Sequence, residues 1–324
     1  MTDNLNIGVI GLGVMGQRML ERLKTHPRLR PTLVWDANPQ ALQRTLAAYP
    51  QLQAAAGPEA LLAAKGLHSA YIATPPDSHM PLANAAFDAG LAVLCEKPLT
   101  MNFDEGRRTV ARIASEGLRD AVNFSLASSP GLKTLEAAWA QDASVSIGDW
   151  QSVSIELSFA AWPRPWQSAA GQWLSERKEG GFTREVLSHF IFVLQRVMGP
   201  AKLVSAHASY PGGMLAETAL TAQLQASGVP VHVDGALRGD VSDVNRFTVT
   251  GSKGSLQLQE WFGVSQMKLG AGDWTQLVDS AQARQQGQAS QLDQWVAMIE
   301  GRPHGLPRFG EALAVQELIE ALLA

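Results

Sequence analysis

Cysteine is nearly absent: the single thiol of this 324-residue chain, Cys95, allows no intrachain disulfide and no thiolate metal cage. That usage fits a reducing compartment and sets a cytoplasmic expectation. An excess of one charge is missing too. The 26 basic and 30 acidic residues leave a net charge of -4, with no run of Lys and Arg, so neither nucleic acid nor an anionic membrane has an electrostatic handle. No apolar stretch reaches the ~18 residues needed to cross a bilayer. The N-terminal segment has acidic Asp3 where a signal peptide would be basic, and glycines interrupt its apolar run. Internal repeats are absent. No His-x3-His pair occurs among the seven scattered histidines, and there is no G-x-S-x-G elbow, so no zinc site or serine-hydrolase site is expected.

What is present is a globular composition, 46% hydrophobic and 17% charged, long enough for two domains. Up to about residue 122, short apolar strands alternate with helical patterns. Strands are expected at 5–10, 32–35, 53–55, 70–73, 92–95 and 120–123, and helices near 15–23, 39–48, 58–64, 78–89 and 103–116. That order implies a parallel sheet covered on both faces. From about residue 150 the period changes to two, as in SVSIELSF at 152–159, which reads as a half-buried antiparallel strand. Further strands are expected at 201–209, 217–226, 229–238, 244–250 and 255–259, with helices at 131–141, 182–198, 288–300 and 310–323. The glutamine-rich stretch 282–294 reads as a loop and helix cap. The fold class is therefore α/β: an N-terminal Rossmann dinucleotide-binding domain, 1–122, and a C-terminal α/β domain, 123–324, with a large, mostly antiparallel open sheet.

GLGVMG, Gly11 to Gly16, follows a strand and opens a helix, the context that gives a G-x-G-x-x-G its meaning. Gly11 permits the tight turn, Gly13 lets a diphosphate approach the backbone, and Gly16 allows close helix–strand packing. Val14 and Met15 start the helix whose N-terminal N–H groups face that anion. Asp36 lies 20 residues beyond Gly16 at the end of the second strand. Its carboxylate suits a ribose 2′-OH and repels a 2′-phosphate, which favours NAD and leaves NADP as the alternative.

Three more motifs follow in order: ATPPDSH (73–79), CEKPLT (95–100) and GGFTREVLSH (180–189). With the glycine loop and the turn VTGSKGSLQL (249–258), they resemble the Gfo/Idh/MocA oxidoreductase family over essentially the whole chain. The resemblance implies that Glu96-Lys97-Pro98 ends a strand at the mouth of the cofactor crevice, with Glu96 and Lys97 at the cofactor and Lys97 next to the reacting oxygen. A lysine there can hydrogen-bond a substrate oxygen and stabilise a developing alkoxide. In relatives the peptide bond before this proline is often cis. Thr74 and Pro75 would line the nicotinamide side with His79 among the cofactor-binding residues, although His79 reads as more structural than catalytic, and Asp77 or Ser78 would cap the next helix.

The third motif would carry the proton chemistry, with His189 as acid or base and Glu185 four residues earlier on the same helical face. Relatives commonly have Asp-x-Gly-x-His. Here Glu185 is one methylene longer, Leu187 replaces the glycine, and Ala127 stands where an arginine is common. Trp162, Arg164 and Trp166 in AWPRPWQ (161–167) are candidates for holding a substrate ring or acid group. The implied activity is an NAD(P)-dependent dehydrogenase or reductase acting on a sugar, polyol or sugar acid, with no metal, as a homodimer or homotetramer through the C-terminal sheet. The alternatives are an internal redox cycle on retained NAD and a non-catalytic NAD(P)-binding regulator.

Overall fold

A computed structural model of the chain describes residues 4–170, 172–239 and 242–324; Asp3 lies outside them. The chain divides into two compact units, the first holding the chain up to Phe124 together with Ala289–Leu313. In it, β1 (Leu5–Ile10), α1 (Val14–Leu23), β2 (Leu29–Trp35), α2 (Pro39–Ala48), β3 (Gln53–Ala54), α3 (Pro58–Leu62), β4 (Ser69–Ile72), α4 (His79–Asp88), β5 (Ala92–Cys95), α5 (Phe103–Glu116) and β6 (Asp120–Val122) alternate as expected. The six strands are parallel in the order β3-β2-β1-β4-β5-β6. Buried on both faces, they read as continuous apolar runs, SAYI and AVLC among them. The order reverses between β1 and β4, the place where an open α/β sheet leaves a crevice beyond its carboxyl ends.

The expected division at 122/123 misses a returning segment. Leu292, Trp295, Val296, Ile299 and Leu306 pack into the same core as Ile7, Val9, Leu20, Tyr71 and Leu94. Trp295 is fully buried, and its indole N–H donates to Ser69 Oγ at 3.0 Å. Residues 282–294 are not a loop either. They belong to a helix, Ser280–Ile299, whose first turn is capped by Asp279 Oδ1 accepting from the Gln282 N–H at 2.8 Å. Glutamine is a good helix former even without an apolar stripe to announce it.

The second unit comprises Ser125–Gln288 and Ala314–Ala324. It contains α6 (Pro130–Trp139), β7 (Trp150–Phe159), α7 (Ser188–Met198), β8 (Ala201–Ser209), β9 (Ala219–Ala226), β10 (Val229–Leu237), β11 (Val244–Gly251), β12 (Gly254–Gln259), β13 (Gly263–Lys268) and β14 (Thr275–Val278). The helix at Ser280–Ile299 is α8, and α9 is Phe309–Leu323; each runs across the division between the units. The eight strands are ordered β14-β13-β12-β11-β7-β10-β9-β8. Only β7 and β10 pair in parallel, so the sheet is mostly antiparallel. Period-two burial is plain in β9 and β10: Leu220, Leu224, Val231 and Val233 turn inward, and α6 and α7 lie on the sheet. β13 and β14 were not legible as strands. The expected helix over 182–198 begins instead with a π-helical turn, Thr183–Leu187. No helix among the described residues is long and apolar enough to cross a membrane.

Candidate functional site

The glycine loop is built as its spacing requires. Gly11 has φ +95° and its N–H donates to the Trp35 carbonyl at 2.9 Å. A Cβ on it would lie 2.5 Å from the Ala73 carbonyl carbon, and one on Gly16 would overlap the Gly11 carbonyl oxygen. Gly13 differs: nothing lies within 4 Å of a Cβ there. It is the N-cap of α1 and gives that helix no side-chain cap, so the first-turn N–H groups remain for an outside acceptor. Asp36 Oδ2 accepts from the Leu12 N–H at 2.6 Å and Oδ1 from the Asn38 N–H at 2.7 Å. The carboxylate thus ties the loop to β2, and each oxygen keeps a lone pair for a ribose hydroxyl. These residues fit a dinucleotide: a close-packed turn, an open backbone approach at Gly13, and an acid beside it. Val14 is half-buried and Met15 exposed at the start of α1.

Thr74 and Pro75 follow β4 directly. The Ser78 hydroxyl turns back to Thr74 Oγ1 at 2.7 Å. Ser78 holds the N-cap position of α4 but makes no cap bond through its side chain, because a short 3₁₀ turn, Pro76–Ser78, intervenes. His79 is buried between two strand-end loops, with Nδ1 2.9 Å from the Pro98 carbonyl and Nε2 2.8 Å from the Thr74 carbonyl. Burial lowers its pKa, and the two carbonyls oppose that shift. Its place is structural: it fastens the loop after β4 to the turn carrying Lys97.

At that turn the Lys97–Pro98 peptide is cis and Lys97 is half-buried among buried neighbours. Glu96 is 5% exposed. Its Oε1 accepts from the Tyr71 hydroxyl and from Asn123 Nδ2, the latter at 2.5 Å. Gln291 Nε2 donates to Asn123 Oδ1 at 2.6 Å, and Arg22 donates to Gln291 Oε1 at 2.6 Å. Burial and the Glu96 charge push the Tyr71 phenol well above its ordinary pKa, which keeps it a donor. A buried polar string therefore runs from α1 through α8 to the residue next to Lys97, so Glu96 directs its carboxylate into the core. Tyr71, Asn123, Gln291 and Arg22 were not singled out from sequence, and only their three-dimensional neighbours reveal them. Cys95 is buried, and burial raises its thiol pKa well above the usual value; it is a strand residue and not a nucleophile.

In the second unit, Glu185 sits half-buried in the π turn and His189, 6% exposed, in the first turn of α7. π turns recur at functional sites. This one is held from both sides. Glu217 Oε1 accepts from the Thr183 N–H at 2.8 Å, and Gly181, at φ +97°, leaves room for that carboxylate where a Cβ would lie 2.6 Å from Oε1. Glu217 is 1% exposed, and among the described residues its Oε2 has no hydrogen-bond partner; burial raises its pKa. Arg184 forms a bidentate pair with Glu320 at 2.6 and 2.7 Å and donates to the Arg177 and Gly180 carbonyls. Glu217 was missed because its partner lies 34 residues away.

Trp162 packs on Phe159 and Phe182 and donates from Nε1 to the Leu174 carbonyl at 2.8 Å. Arg164 lies 4.8 Å over the Trp166 ring, and Trp166 is 50% exposed. So Trp162 is mainly a packing residue, while Arg164 and Trp166 form an accessible stacked pair. Leu187 is fully buried and Ala127 is buried, so neither departure leaves a side chain in the open. Trp261, not picked out from the sequence, lies edge-to-face with His189. Among the described residues no group of three or more His, Cys, Asp or Glu side chains is placed to hold a metal.

Comparison with known proteins agrees with this geometry. Residues 5–124 match the oxidoreductase-family model for an NAD-binding Rossmann fold, and residues 143–257 match the GFO/IDH/MocA C-terminal domain. Inositol 2-dehydrogenase 4 of Saccharopolyspora erythraea is 31% identical over 118 residues, and the inositol 2-dehydrogenase of Pseudomonas fluorescens is 34% identical over 119. These alignments cover 36% of this chain and 34% and 35% of the relatives, so the chain matches about a third of their length. The WlbA dehydrogenase from Bordetella pertussis, solved with NADH and UDP-GlcNAcA, superposes with a TM-score of 0.83 at 20% identity, over 99% of this chain and 95% of that one. GenD2 from gentamicin A biosynthesis, solved with NAD, gives 0.81 at 21% identity, over 99% and 93%. The two family models together span most of the chain, and the chain belongs to the GFO/IDH/MocA oxidoreductase family.

Proposed function

We propose that the protein is an NAD(P)-dependent dehydrogenase that oxidises a secondary alcohol of a sugar, polyol or sugar acid, or reduces the corresponding ketone. The observation that carries this reading is the glycine loop: Gly11 and Gly16 are closed by packing, while Gly13 stays open at the uncapped start of α1. The inositol dehydrogenases among its relatives supply the substrate class. NAD, when bound, accepts the hydride that such an oxidation releases. Gly13 and the first turn of α1 hold the diphosphate, with Val14 and Met15 beside it, and Asp36 takes the ribose hydroxyls. Thr74, Pro75 and the His79-fastened loop border the nicotinamide. Lys97, on a strand end stiffened by the Glu96 string, donates to the substrate oxygen and stabilises the alkoxide. His189 takes the hydroxyl proton, Glu185 orients it or binds a neighbouring hydroxyl, and Arg164 with Trp166 contacts the substrate. In the reverse direction the same groups return the proton.

Assembly as a homodimer or homotetramer through the second-unit sheet is part of the same reading; light scattering after gel filtration measures it. The activity test is reduction of NAD, and separately NADP, across sugars, polyols, inositols and sugar acids. Turnover with NAD and its loss in Lys97→Met support the reading. NADH binding without turnover of any alcohol refutes it, and cofactor retained through purification without net NADH release assigns an internal redox cycle instead.

A further inference from the structure

Among the described residues, four non-glycine residues take positive φ, and Trp261, at +71°, is the one aromatic among them. It follows Glu260, at +50°, in the turn between β12 and β13. A bulky residue in the left-handed region is a rare outlier, and such outliers persist where the surroundings over-determine them. Here the surroundings are visible. The Trp261 N–H donates to Asn245 Oδ1 at 2.8 Å, and the Ser280 hydroxyl donates to the Glu260 carbonyl at 2.7 Å. What the strained turn accomplishes is placement of the indole. Its ring centroid lies 5.3 Å from that of His189 at an interplanar angle of 85°, and 5.8 Å from Phe190. A perpendicular contact of this kind fixes ring orientation through the indole quadrupole.

We propose that Trp261 is a positioning residue for His189, holding its imidazole through this edge-to-face contact. The proposal deepens the dehydrogenase reading and rests on it for the identity of the proton acceptor.

The test compares W261L with W261F in the full chain, using myo-inositol and NAD. W261L lowers kcat about tenfold or more at little change in KM, while W261F recovers most of the lost kcat. N245A, which removes the acceptor holding the turn, moves in the same direction as W261L. NADH affinity stays at the wild-type value in all three. W261L and W261F with equal kinetics overturn the proposal. A readout without turnover separates this inference from the parent reading. The His189 ring resonances, assigned by their loss in H189N, are displaced by the aromatic ring current in wild type and W261F and return in W261L. Unchanged resonances overturn the positioning role even where no alcohol is oxidised.

Discussion

The clamp on the π turn gives a measurable energy. Gly181→Ala places a methyl 2.6 Å from Glu217 Oε1 and 2.7 Å from its Cδ, at a φ of +97°. Backbone strain at that φ contributes about 1–3 kcal/mol. Driving the carboxylate off the Thr183 N–H costs about 1.5–3 kcal/mol more, so the second unit loses about 2.5–6 kcal/mol in all. Glu217→Ala leaves that buried N–H without its acceptor, a loss of about 1–3 kcal/mol. In the double variant the methyl no longer meets a carboxylate, so the two effects are sub-additive by about 1.5–3 kcal/mol. Guanidinium unfolding followed by tryptophan emission suits the measurement, since seven of the nine tryptophans (139, 150, 162, 166, 173, 261 and 274) lie in the second unit.

The same residue sets a pH dependence. Burial raises the pKa of folded Glu217 above its ordinary 4.5. Between 4.5 and that raised value the unfolded chain has lost the proton while the folded chain keeps it, so this residue's contribution is full below the window and falls as pH rises through it. Glu217→Gln keeps the acceptor for Thr183 and abolishes that slope. Additivity in the double variant within about 0.5 kcal/mol, or an unchanged slope in Glu217→Gln, refutes the clamp.

Two further perturbations probe the first unit. Gly13→Ala folds with wild-type stability, because its Cβ meets nothing within 4 Å, yet it weakens NADH binding as seen by fluorescence titration; Gly16→Ala instead lowers the melting temperature, since its Cβ overlaps the Gly11 carbonyl. Tyr71→Phe removes a donor from buried Glu96 and costs about 1.5–3 kcal/mol in urea unfolding, together with a lower kcat at unchanged NADH affinity.

What the sequence reveals and what it hides divides along one physical line. The demands of the glycine loop are local: a turn, a close approach and a helix start all fall within six residues, so GLGVMG and the later Asp36 could be read with their reasons attached. Glu96, Lys97 and His189 were legible as motif members, but not what holds them. The donors to Glu96 come from 25 and 27 positions away, and Gln291 reaches Asn123 across 168. No periodicity links such partners; sheet order and the return of α8 do. The glutamine run of α8 looked like a loop because its exposed turns carry no apolar stripe, although Gln291 is buried and bonded within it. A π turn likewise leaves no 3.6-residue signature. Trp261 had one faint signal: three residues, Glu260 to Phe262, join β12 to β13, and a hairpin loop that short demands a left-handed residue. Glycine stands at the following position, Gly263, and not at the strained ones. In a chain that meets its other tight turns largely with glycine, an aromatic at positive φ held against His189 is a placement that the turn alone does not require.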